Sequence, residues 1–160
     1  MVGQKIDGIE VSNAVKDILK NAVEKLNSEN VLPCLATVLV GDDPASAIYV
    51  KNKHNACEKI GIKTKDHKLP ANTTQKELNK IIDELNNDKE IHGILVQLPL
   101  PKQLDEFATI SRISPIKDVD GLTPQNVGLL SMGKSILRPC TPSGIMEMFY
   151  YYKINLQGKN

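Results

Sequence analysis

Cysteine is scarce in this chain. Only Cys34, Cys57 and Cys140 occur, an odd number, far apart and with no Cys-x-x-Cys pair. That pattern argues against a disulfide framework and a cysteine zinc site. Histidine is as sparse, and His54, His67 and His92 show no ligand spacing; they are read as surface or packing residues, and no metal is expected. No apolar run approaches the ~20 residues that span a bilayer. Residues Met1 to Glu10 lack the basic-then-apolar order of a signal peptide. A cytoplasmic protein with no membrane partner is therefore expected. Charge of one sign is missing too: 20 Lys and Arg against 19 Asp and Glu leave a net +1. That balance removes any general electrostatic case for nucleic acid. There is no internal repeat and no low-complexity tract.

What is present is an alternation of helix and strand patterns. Val11, Val15, Ile18, Ala22 and Leu26 recur at helical steps and predict one apolar face of a helix over 10–26. Cys34 to Val40 is a continuous apolar run between Pro33 and Gly41, the pattern of a strand buried on both faces. Asp43-Pro44 pairs an N-cap with proline at the first helical position, so a helix is predicted from Pro44 to about Ile60, stopping at Gly61. A weaker strand follows over 62–69. Thr73 or Thr74 caps a helix with Leu78, Ile81, Ile82 and Leu85 facing the core. Ile91 to Leu98 is a second strong strand. Short helices are predicted over 103–113, from Thr123-Pro124 to near Gly133, and over 145–153. Strand–helix alternation predicts a three-layer α-β-α fold with a mainly parallel sheet.

In open α/β sheets, ligands bind beyond the carboxyl ends of the strands. Three features converge there. Ser46, Tyr49 and Lys53 share one face of the helix after Val40. A lysine kept from full hydration holds its proton less firmly and suits proton chemistry. Spacing alone does not separate such a pair from ordinary helix residues such as Lys51 and Lys59. Gln97 interrupts an apolar strand end, where a buried amide needs partners; a structural and a functional role are both open. Asp118 and Asp120 flank Val119 in a turn-rich loop, where alternation would point them to one side and capping or exposure is the ordinary alternative.

Four blocks occur in order: ATVLVGDDPASAIYVKNKHNACEKIGI, GILVQLPLPKQL, ISPIKDVDGLTPQNVG and RPCTPSGI. Together they resemble the bifunctional methylenetetrahydrofolate dehydrogenase/methenyltetrahydrofolate cyclohydrolase family in its bacterial form. The resemblance runs from Gly8 to Lys159. It implies NADP-dependent oxidation of 5,10-methylene-tetrahydrofolate to the methenyl form, then hydrolysis to 10-formyl-tetrahydrofolate. It implies that Lys53 is the catalytic lysine, that Gln97 hydrogen-bonds to it, and that Tyr49 stacks on the aminobenzoate ring. Asp120 would bind the amino-pyrimidine edge of the pterin, with Ser46 beside the set lining the pocket. A cationic methenyl carbon beside an ammonium favours loss of the lysine's proton, leaving an amine that takes a proton from attacking water.

The pattern departs from the family at the carboxyl end. None of the ten glycines forms a G-x-G-x-x-G turn. No cofactor-binding residue is therefore expected in this chain, and NADP would be bound mainly by the family's Rossmann domain, read as absent. The expected division is 1–140 as the folate-binding catalytic domain and 141–160 as a linker helix and the start of the dinucleotide-binding domain. A full-length family member is expected to be a homodimer. The alternative is a folate-binding module without dehydrogenase activity. A short-chain dehydrogenase also carries Tyr-x-x-x-Lys, but it needs an N-terminal glycine-rich loop, and residues 1–30 hold only Gly3 and Gly8. A flavodoxin-like interaction domain explains the strands but not the four blocks.

Overall fold

The computed structural model describes residue 3 and residues 5–158. Lys159 and Asn160, the last residues of the expected linker segment, lie outside the described residues. Three strands form one parallel sheet in the order β2-β1-β3: β1 (Cys34–Val40), β2 (Lys63–Leu69) and β3 (Gly93–Val96). β1 is central, and Ala36 to Val40 are all buried. β2, with three lysines and alternating exposure, is an edge strand; charge there discourages pairing with another chain. β3 is shorter than the run 91–98 predicts. The ladder continues through single bonds, His92 N–H to Cys34 O at 2.9 Å and Gln97 N–H to Val38 O at 2.9 Å.

The chain leaves β1 through α2 (Pro44–Ile60) to one edge and leaves β2 through α3 (Gln75–Asn87) to the other. Right-handed crossovers to opposite sides of β1 put these helices on opposite faces, giving the expected three layers. Thr74, rather than Thr73, caps α3: its N–H donates to Glu77 Oε2 at 2.8 Å and its hydroxyl accepts from Glu77 N–H at 3.3 Å. This capping box satisfies two helix-end donors. Thr73 instead donates to Pro70 O at 2.6 Å. Leu78, Ile82 and Leu85 of α3 pack on Ala36, Val38 and Val40 of β1 and on Ile94 and Val96 of β3. Each such side chain stabilises the fold by about 1.5–3 kcal/mol. α4 (Glu106–Arg112) closes this layer with Ile113; Gln103 and Leu104 turn before the Asp105 cap instead of starting the helix.

The first helix departs most from its pattern. α1 (Gly8–Ser28) begins two residues early because Asp7 caps it, accepting from Ile9 N–H at 2.9 Å. Val11 and Val23 are buried, whereas Ile18, Ala22 and Leu26 of the predicted face are exposed. The reason is its neighbours: α1 packs chiefly on α2 and on α6 (Cys140–Tyr151) rather than on the sheet. α5 (Pro124–Ser131) ends two residues before Gly133. α6 starts at Cys140, so five of the seven residues of the predicted RPCTPSG loop are helical.

Candidate active site

The site is assembled at the carboxyl ends of β1 and β3. Gly41, at φ 90°, turns the chain from β1 towards α2. Asp43 accepts from Ser46 N–H at 2.7 Å. The Ser46 N–H first, and its hydroxyl second, hold the Asp43 carboxyl below its usual range. Ser46 is thus buried with its polar groups facing the cap. Tyr49 follows on α2 and is exposed, and Lys53 is half-buried, unlike Lys51 and Lys59.

Lys53 Nζ donates to Gln97 Oε1 at 3.2 Å. Gln97 Nε2 donates to Leu98 O at 2.7 Å. The amide is therefore satisfied at both ends, and one of its partners is the lysine. The bonds that permit the partial burial of Gln97 also hold the Lys53 amine at the strand end.

Asp118 and Asp120 do different work. Asp118 is 2% exposed and bridges to Ile94 beside β3. Its Oδ2 accepts from Thr123 N–H and Asn126 Nδ2, both at 2.8 Å. Burial pushes the carboxyl up, but the bonds from Thr123 and Asn126 outweigh it, and the group ends below its usual range. Lys117 Nζ donates to Leu85 O at 3.0 Å and Asp88 O at 2.7 Å, tying the loop to the end of α3. Two glycines let the loop close in. A Cβ on Gly93 would overlap Val119, and a Cβ on Gly121 (φ +64°) would lie 2.6 Å from Arg138 C. Asp120, between these anchors, is half-buried.

Cys140, in the RPCTPSG block, lies against the Asp120 loop. Its thiol donates to Val119 O at 3.3 Å. Although the residue is exposed, protein atoms crowding the sulfur push the thiol up first. The charge and hydrogen bond of Asp120 push it further, and Lys53 pulls it down. The grooves along α3 and beside Ile91 contain none of these residues.

The turn after β1 does not suit a dinucleotide phosphate. The glycine-bearing strand-to-helix turn after β1 continues into Asp42 and Asp43, and Asp43 already caps α2. Two carboxylates at that helix start oppose the anion that a phosphate cradle attracts.

The fold and site define a three-layer α/β domain with a lysine held on a strand-end amide. Comparison with known proteins gives the family. The model for "Tetrahydrofolate dehydrogenase/cyclohydrolase, catalytic domain" matches residues 6–120, and the chain belongs to that family. It is 68% identical to the bifunctional protein FolD of Nitrosopumilus maritimus (strain SCM1), over 100% of this chain and 56% of that one. It is 51% identical to the FolD of Neisseria gonorrhoeae (strain NCCP11945), over 99% of this chain and 56% of the relative. The structure is similar to the bifunctional enzyme FolD from Campylobacter jejuni: TM-score 0.94, 45% identity, 96% of this chain and 55% of that one. It is also similar to the Trypanosoma brucei FolD complexed with NADP cofactor and inhibitor: TM-score 0.91, 35% identity, 95% of this chain and 52% of that one. The chain spans about half the length of the curated relatives it matches.

Proposed function

We propose that this chain is the folate-binding, catalytic half of a methylenetetrahydrofolate dehydrogenase/methenyltetrahydrofolate cyclohydrolase. The single observation that carries the reading is the Lys53–Gln97 bond at 3.2 Å, beside the loop that presents Asp120. In hydrolysis, water oxygen adds to the cationic methenyl carbon and Lys53 takes the proton that leaves the water. The tetrahedral adduct then collapses: its hydroxyl loses the remaining proton as the C=O bond forms, the bond to N5 breaks, N5 takes up that proton, and the carbon stays on N10 as formyl. Gln97 holds the amine in place through its carbonyl oxygen. Asp120 suits the two N–H groups of the pterin's amino-pyrimidine edge, which a planar carboxylate can pair together. Tyr49, exposed on the same helix, stacks on the aminobenzoate ring. Ser46 supports this set from the cap.

The oxidation is assigned to the longer protein, with NADP held mainly outside this chain; no step through NADP is derived from the residues here. Residues 1–140 would form the folate unit and 141–160 lead towards the dinucleotide-binding part. The full-length protein would act as a cytoplasmic homodimer. The test is a titration of the chain with a folate analogue, together with hydrolysis of 5,10-methenyl-tetrahydrofolate. Tyr49→Ala and Asp120→Ala should weaken binding, and Lys53→Met should cut hydrolysis ~10²- to 10⁴-fold, to a residual rate that can still be measured, with binding retained. Equal affinity in all three variants and unchanged hydrolysis in Lys53→Met would refute the reading.

A further inference from the structure

The helix that carries Tyr49 and Lys53 is held lightly by apolar packing. Of the 17 residues of α2, only Ser46 and Ile60, one near each end, are buried. Its ends are fixed by the Asp43 cap and by Gly61. Its middle is fastened by polar groups. His54 Nδ1 lies 3.0 Å from Asp66 Oδ2 and 2.7 Å from Thr64 Oγ1, both on β2. The other oxygen of Asp66 accepts from the hydroxyl of Thr37, a buried residue on β1. An ionised carboxylate only accepts, so Nδ1 carries the proton and the ring donates. One chain of bonds thus joins α2 to the edge strand and to the central strand.

His54 follows Lys53 directly, and β1 pairs with β3, at whose end Gln97 stands. Directional bonds of this kind restrict the roll of a helix about its axis, which a smooth apolar contact leaves freer. A side-chain tip ~6 Å from the helix axis moves ~1 Å for a 10° roll. That shift is enough to break the bond between Lys53 and Gln97, and ~1 Å of misplacement costs a reaction up to ~10²-fold. We propose that His54 and Asp66 are positioning residues, which set the roll of α2 and thereby the register of Lys53 against Gln97. The consequence for catalysis rests on the proposed role of Lys53; the positional claim does not.

The test has a substrate-free arm and a kinetic arm, both on the chain as it stands. In the first, the side-chain amide signal of Gln97 is followed by NMR in wild type, Lys53→Met, His54→Ala and His54→Asn. His54→Ala should move that signal towards its position in Lys53→Met. His54→Asn, which keeps an N–H near the Nδ1 position, should return it most of the way. In the second, hydrolysis of methenyl-tetrahydrofolate should fall ~10- to 100-fold in kcat for His54→Ala, with KM within about threefold. Adding His54→Ala to Lys53→Met should cost nothing more, because the effect runs through the lysine. An unmoved Gln97 signal in His54→Ala, in a variant whose circular dichroism shows it folded, overturns the proposal. So does a kinetic loss that adds in full to that of Lys53→Met. If Lys53→Met leaves hydrolysis intact while the Gln97 signal responds to His54→Ala, the positional claim stands and the folate reading fails.

Discussion

Replacing Asp118 tests whether a buried carboxylate, rather than apolar packing, holds the loop that presents Asp120. In Asp118→Ala, two donors lose their acceptor: Thr123 N–H, on a residue 1% exposed, and one N–H of Asn126, 4% exposed. The other N–H of Asn126 keeps Pro115 O at 2.9 Å. A buried donor without a partner costs about 1–3 kcal/mol, so the two cost about 2–6. Relief of the carboxylate's own desolvation offsets part of this, leaving a net loss of about 2–4 kcal/mol. Asp118→Asn can turn its carbonyl oxygen to both donors and loses only the charge assistance, so about 1 kcal/mol is expected. Urea unfolding at pH 7 reads both values. The sign with pH follows from the lowered carboxyl of Asp118. A depressed group contributes stability above its unfolded value, near 3.9 for Asp, and loses it as pH falls through its folded value. The gap between wild type and Asp118→Asn should therefore stay constant from pH 8 to 5 and close below about pH 4. A loss under ~0.5 kcal/mol in Asp118→Ala, the range of an ordinary surface change, would refute the argument.

Gly121→Ala should separate the Asp120 loop from Cys140. The left-handed backbone costs an alanine about 1 kcal/mol. The new Cβ also meets Arg138 C at 2.6 Å and Pro139 N at 2.8 Å, backbone that cannot swing aside. Folate-analogue affinity should fall more than tenfold by titration, about 1.4 kcal/mol; unchanged affinity counts against the close approach. Ile82→Ala empties the centre of the α3–sheet layer, where Ile82 is 0% exposed, and should cost about 2–5 kcal/mol by urea midpoint. Ile18→Ala, on exposed α1, should stay within ~0.5 kcal/mol; a loss matching Ile82→Ala would show that α1 packs otherwise.

Local chemistry was legible wherever a short-range rule decides the outcome. Asp43-Pro44 opened α2 and Gly61 closed it. The unbroken run of β1 marked a strand covered on both faces, and the spacing of Leu78, Ile82 and Leu85 marked the core face of α3. The four ordered blocks placed the chain in its family and pointed to Tyr49, Lys53, Gln97 and Asp120. What stayed hidden depended on which neighbour an element meets. The pattern of α1 gave no sign that Ile18 and Leu26 face outward, because periodicity reports apolar spacing and not the surface it finds. Asp118 and Asp120, two residues apart in one loop, diverge into a buried anchor and a half-buried ligand candidate only because Thr123 and Asn126 fold back onto the first. Spacing gave no sign that Cys140, the first residue of α6, places its thiol against Val119 O. Sequence alone determined most of the local elements and the family, and it named the candidate site residues. Tertiary structure alone decided which acidic group is spent on the fold and what holds Lys53 in register, because those outcomes rest on contacts between residues far apart in the chain.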